Sequence, residues 1–117
     1  MAQINKPNLH FNTKLYTGTG ADGNAQTGVG FQPDFTWIKE RSGGTRDHSL
    51  FDAVRGATKR LESNTTNAES TEGNSLQSFD TDGFTVGSTS AVNRDTNPFV
   101  AWNWKAGTTG SGTTTGS

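Results

Sequence analysis

The stretch LFDAVRGATKRL, residues 50–61, decides which class of fold this chain can reach. Leu50, Val54, Ala57 and Leu61 recur at the three-and-four spacing of an amphipathic helix. Gly56 would then lie mid-helix, at a cost of about 1 kcal/mol relative to alanine. Read as strands, Phe51, Ala53 and Arg55 share one face, Leu50, Asp52 and Val54 share the other, and Gly56 marks a turn or bulge. A helix here would be the one long helix in a chain otherwise built of turns and β-prone runs. Agreement with the rest of the chain therefore favours two strands around Gly56.

The rest of the chain consists of short apolar clusters separated by Thr, Ser, Asn and Gly, which is the punctuation of many short strands. LHFNTKLYT (9–17) places Leu9, Phe11, Thr13, Leu15 and Thr17 on one parity, a first strand. GTGADGNAQTGVG (18–30) reads as a long loop, and FQPDFTWIKER (31–41) as a second strand carrying Phe35, Trp37 and Ile38. SLFDAVR (49–55) and ATKRLES (57–63) are the disputed pair, and NTTNAESTEGN (64–74) is a polar loop. SLQSFDTDGFTVGS (75–88) reads as a hairpin with Asp82 and Gly83 at its turn. PFVAWNWKA (98–106) closes the series, with Val100, Trp102 and Trp104 on one face. The expected fold is all-β, an antiparallel sandwich with little or no helix. Residues 1–8 are expected to form an arm and 9–106 the sandwich. Residues 107–117, GTTGSGTTTGS, have no apolar side chain and are expected to be a flexible linker or tail.

The core must be thin. Hydrophobic residues make up 28% of the chain, and glycine contributes 15 of 117 residues. Such a domain leans on a partner or on its own copies. Arg55, Lys59 and Arg60 cluster, but Glu62, Glu69 and Glu72 follow, and the net charge is −1. A mixed-charge surface results, which does not suit a nucleic-acid backbone. The absence of cysteine excludes disulfides and thiolate metal sites. MAQINKPNLH lacks the apolar run of a signal peptide, and no stretch reaches membrane-spanning length.

Several short motifs suggest chemistry and read better as turns. GTGADG (18–23) spells a dinucleotide fingerprint, but the residues after it cannot open the required helix. Asp80 and Asp82 in DTDG match the start of a calcium loop without its later ligands, so a hairpin turn accounts for them, and a Ca²⁺ shared with another loop stays open. Asp47, His48 and Ser49 are catalytic residue types, but neighbours in an extended segment point to opposite faces and cannot form a triad. Asn64-Thr65-Thr66 fits a glycosylation acceptor and reads as a turn. Trp37, Trp102, Trp104 and Tyr16 are large enough to make a platform against sugar rings. In a small sandwich such rings more commonly fill the core. Trp102 and Trp104 share a parity, so core or site claims them together.

An ordered series of motifs carries a family resemblance. Trp-Ile-Lys is followed by Leu-Phe-Asp with Val-Arg-Gly and by Ser-Asn-Thr-Thr; then come Asp-Gly-Phe-Thr-Val-Gly and Val-Ala-Trp-Asn-Trp-Lys-Ala-Gly, all within residues 33–107. The series resembles a module of tailed-bacteriophage structural proteins, especially those of marine phages. The resemblance implies a jelly-roll sandwich of the concanavalin A-like or SPRY-like group, found in tail fibres, tail spikes and virion surface proteins. It supports the strand reading of 50–61. It also implies a non-enzymatic virion component, a capsid decoration or a tail or fibre module, assembled in the bacterial cytoplasm. Its partners would be other virion proteins and copies of itself, with neither cofactor nor nucleic acid nor membrane insertion. The alternative it implies is lectin-like binding of host-surface glycan through Trp37, Trp102, Trp104 and Tyr16. The same fold group includes glucanases, but their Glu-x-Asp-x-x-Glu strand is absent here, and Glu62, Glu69 and Glu72 lie in or beside a polar loop.

Overall fold

A computed structural model describes residues 7–106. The expected tail at 107–117 and residues 1–6 of the expected arm lie outside the described residues. After a short 3₁₀ turn at Pro7–Leu9 come β1 (Phe11–Thr17), β2 (Asn24–Gln26), β3 (Phe35–Glu40) and β4 (Ser49–Asp52). Then follow β5 (Lys59–Arg60), β6 (Ser70–Thr71), β7 (Leu76–Asp80), β8 (Gly83–Val86), the single-turn helix α1 (Ser90–Asn93) and β9 (Pro98–Trp104). The fold is an all-β antiparallel sandwich. One sheet has four strands in the order β1-β9-β3-β4, a second has three in the order β2-β8-β7, and β5 pairs with β6. The last strand, β9, lies between the first and the third.

The inner faces of the two sheets make the core. Tyr16, Phe99, Ala101, Ile38 and Phe51 from the larger sheet meet Leu76, Phe84 and Val86 from the smaller, and Val29, Phe31, Ala91 and Val92 close the ends. Burial alternates along β3, with Thr36, Ile38 and Glu40 inward and Phe35, Trp37 and Lys39 outward. The inward Glu40 accepts a hydrogen bond from the Asn97 side-chain amide and lies 4.0 Å from the Arg94 guanidinium.

The 50–61 stretch is a β-turn-β unit. Leu50 and Leu61 exchange backbone hydrogen bonds at 2.9 and 3.0 Å, forming an antiparallel bridge. Gly56 sits between them at φ 116°, a value that leaves side-chain-bearing residues strained. The regular strands are shorter than the sequence pattern implies, because Ala53–Arg55 turn away after Asp52. The Asp52 carboxylate accepts from the Arg55 amide at 2.7 Å and thereby closes that turn. Burial pushes the Asp52 carboxyl up, but the Arg55 amide and guanidinium outweigh it and hold the carboxyl below its ordinary value. Val54, part of the apolar stripe in the helical reading, is 93% exposed. Val54→Lys is therefore expected to change the unfolding free energy by less than about 0.5 kcal/mol in a urea titration.

Two details of the expected pattern are corrected by the geometry. First, the hairpin pairs Asp80 with Gly83, so Thr81 and Asp82 form its tip and Gly83 begins β8. Glycine is required at 83 because a Cβ there would lie 1.8 Å from the Gln26 carbonyl oxygen. Second, the apolar parity of β1 faces outward: Leu9, Phe11 and Leu15 are exposed, while Tyr16 is buried. Of the glycines in GTGADG, Gly18 and Gly20 donate to Asn97 and Asn93 carbonyls, and the short strand β2 follows rather than a helix.

Candidate functional site

β9 sends Phe99, Ala101 and Asn103 inward, so Trp102 and Trp104 stand on the outer face of the four-stranded sheet. Cross-strand register puts Trp37 of β3 opposite Trp102, and Phe35 opposite Trp104. On the other side β1 sets Thr13 against Trp102 and Phe11 against Trp104. The result is an aromatic shelf outside the core. The Trp37 and Trp102 rings meet edge to face at 5.8 Å and 75°. Trp104 is flanked by Phe11 at 5.0 Å and Phe35 at 5.1 Å.

Trp37, His48, Trp102 and Trp104 line a concavity of about 280 Å³ on this face. The Trp37 indole Nε1 donates to His48 Nδ1 at 2.9 Å. An Nδ1 that accepts must carry its lone pair, so this bond assigns the imidazole proton to Nε2. His48 is set in place from behind, since Asn64 accepts from the His48 amide at 3.0 Å and donates to Asp47 at 2.8 Å. The Asn64-Thr65-Thr66 turn thus buttresses the rim. Three indole walls and the imidazole ring give a site with apolar walls, which suits the C–H-rich face of a sugar ring.

The sequence-predicted residues divide cleanly. Trp37, Trp102 and Trp104 come together, on the outer face rather than in the core. Tyr16 is not with them: it is 7% exposed, stacks on Phe99 at 5.3 Å and donates its hydroxyl to the Val92 carbonyl at 2.6 Å. Burial pushes that phenol well above its ordinary value. Gly56 and Asp82 serve the turns described above, whereas Gly83, also expected in a turn, begins β8 and is held to glycine by its approach to Gln26. Nothing in the sequence pattern assigns His48 a binding role. Only the pairing of β3 with β4, which sets Trp37 opposite Leu50 and Ile38 opposite Ser49, reveals it as a neighbour of Trp37.

The carboxylates are engaged elsewhere. Glu69 pairs with Arg55 at 2.9 Å, and Glu62 and Glu72 pair with Arg60 at 2.9 and 3.3 Å. Arg60 is itself nearly buried, and it also donates to the Ser49 hydroxyl at 3.0 Å, so the charge cluster is a docked network rather than a freely solvated surface. Asp80 accepts from the Ser78 and Thr85 hydroxyls at 2.8 and 2.6 Å. Asp82 accepts from the Gly28 and Gly30 amides at 2.9 and 2.7 Å, tying the hairpin tip to the glycine-rich loop. Among the described residues no three His, Asp or Glu side chains converge on a metal position.

Those two amides, with a smaller contribution from the Lys14 charge, hold the Asp82 carboxyl below its ordinary value. A carboxyl depressed on folding stabilises the native state above its unfolded value of about 3.9 and ceases to do so as pH falls through the lower folded value. Asp82→Asn is therefore expected to destabilise near neutral pH, and the gap to wild type should close as pH falls through the lowered folded value. Urea midpoints from pH 7 to pH 2 check this; a gap independent of pH would contradict it.

No curated protein and no solved structure matches the chain. A family model described as a domain of unknown function, DUF7483, matches residues 6–117, a span that holds every strand of the sandwich and all four residues of the concavity. The chain belongs to the DUF7483 domain family.

Proposed function

We propose that this chain is a non-enzymatic structural module at the surface of a tailed-phage particle, folded as a sandwich of the concanavalin A-like group. One observation carries the reading: the motifs that resemble phage structural modules are the ones that build this sandwich and its aromatic face. Trp-Ile-Lys lies in β3, Leu-Phe-Asp in β4, Gly-Phe-Thr-Val in β8 and Val-Ala-Trp-Asn-Trp in β9. The non-enzymatic part is supported by where the glutamates stand. Glu62, Glu69 and Glu72 are held by Arg55 and Arg60, whereas glycoside hydrolysis needs two carboxylates facing each other across a cleft. The partners under this reading are other virion proteins. Labelling purified particles with an antibody to residues 7–106 tests it; particles that incorporate no label would reject it.

The concavity favours a second reading, attachment to host-surface glycan. Trp37, Trp102 and Trp104 offer apolar ring surface to a sugar, and the hydrogen bond from Trp37 fixes the His48 ring beside them. Trp102→Ala is expected to lower glycan-array or whole-cell binding by about tenfold or more, the equivalent of about 1.4 kcal/mol. Far-UV circular dichroism should stay the same, because Trp102 stands outside the core. Full binding by Trp102→Ala, or no binding by the wild type, would remove this reading and leave the structural one.

A further inference from the structure

A sandwich must deal with the edges of its sheets, because an uncovered edge offers unpaired N–H and C=O groups to any passing strand. Most edges here are blunted. The far side of β4 is bridged through Leu50 to Leu61. β7 carries a register irregularity between Leu76 and Ser78, and β2 is only three residues long. β1 differs: it has seven regular residues and, among the described residues, pairs only with β9.

The hydrogen bonds at its ends define which groups face out. Lys105 donates to the His10 carbonyl and Gly18 donates to the Asn97 carbonyl, so the even-numbered residues bond to β9. Phe11, Thr13, Leu15 and Thr17 therefore direct their N–H and C=O groups away from the sheet. Among the described residues the one partner these groups have is the Asn12 side-chain oxygen, which accepts from the Thr13 amide at 3.0 Å. The same strand carries apolar side chains left in water: Phe11 is 38% exposed and Leu15 56%. Free backbone groups call for a strand, and exposed Phe11 and Leu15 call for apolar cross-strand neighbours.

We propose that β1 pairs antiparallel with β1 of a second copy of this chain, about a two-fold axis through Thr13. In that register Phe11 faces Leu15 of the partner subunit, and the exchange repeats by symmetry, so Leu15 gains an apolar partner and Phe11 one beyond the Trp104 ring it already meets. Lys14 then faces Asn12 of the partner subunit. An axis through Lys14 would instead oppose two lysines, which is unfavourable. The two four-stranded sheets become one sheet of eight. The axis stands perpendicular to that sheet, so both aromatic concavities look out on the same side. Three strand spacings separate β9 from its copy, about 14 Å. A target with closely spaced repeats would then be held at two points at once. The pairing does not depend on whether the concavity takes glycan.

The contact is small, and its expected Kd is of order 10–100 µM. Sedimentation equilibrium of the full chain up to about 0.5 mM should show a monomer–dimer equilibrium. Leu15→Lys should weaken it at least tenfold, because a charge on an edge opposes strand addition. Thr13→Pro should do the same while sparing the β1–β9 ladder, since the Thr13 amide faces outward. Val54→Lys, on a distant turn, should leave it unchanged. Circular dichroism confirms that each variant folds, and Leu15→Lys suffices if the proline does not. Slower exchange of the Phe11 and Leu15 amides as protein concentration rises would locate the contact on this edge. A wild type that is monomeric at 0.5 mM would overturn the proposal, as would a dimer insensitive to Leu15→Lys.

Discussion

Asn93→Ala is expected to lower the unfolding free energy by about 3–5 kcal/mol. Asn93 is fully buried at the end of α1. Its amide group donates to the Ala21 carbonyl at 2.8 Å, the Gly87 carbonyl at 2.9 Å and the Thr19 hydroxyl at 3.3 Å. Its side-chain oxygen accepts from the Thr19 amide at 2.9 Å and from Asn24 at 2.8 Å. One side chain thus joins the 18–23 loop, β2 and the end of β8. Alanine would strand the buried Gly87 carbonyl away from water, at about 1–3 kcal/mol before relaxation, and would remove the bonds to the Ala21 carbonyl and the Thr19 amide, at about 1 kcal/mol each. In a domain of this size the melting temperature should fall by about 15–25 °C. Asn93→Asp separates the donors from the packing, because it keeps the shape but turns an oxygen toward the Ala21 and Gly87 carbonyls. It should be as damaging as alanine; near-wild-type melting of Asn93→Asp would show that the donated bonds contribute little.

The second large effect is expected at Gly83. A Cβ there would lie 1.8 Å from the Gln26 carbonyl oxygen and 2.9 Å from its carbon, which are backbone atoms that no rotamer change can move. β2 would have to shift off β8, breaking the pairing of Gln26 with Phe84. Gly83→Ala should therefore cost about 3 kcal/mol or more, read as a lower urea midpoint. Gly23→Ala is the informative comparison. Gly23 has φ 80° but nothing within 4 Å of a built Cβ, so its cost is conformational only, about 1 kcal/mol. Equal losses at the two positions would mean that close approach at Gly83 is not the decisive factor.

Much of the fold could be read locally. The Leu76–Val86 hairpin follows from alternation and turn residues, both short-range properties of the chain. The strand reading of 50–61 followed from consistency with its neighbours, and Gly56 does occupy the turn. The tip of the hairpin lies one residue earlier than the Asp-Gly pair suggests. The glycine is retained there for a contact with β2, which is distant in sequence, so no local rule identifies it.

By itself the sequence determined that the chain is built of short strands, and that Trp102 and Trp104 must share a face. It did so because alternation is a property of the extended backbone alone. Only the tertiary structure decided which face is wet. β1 turns its more apolar parity outward and buries Tyr16, because β9 enters between β1 and β3 with Phe99 and Ala101 facing the second sheet. That insertion joins residues some ninety positions apart, such as Phe11 and Trp104, and it sends the tryptophans out beside His48. Alternation states which side chains travel together. The direction they travel is fixed by the sheet packed on the other side.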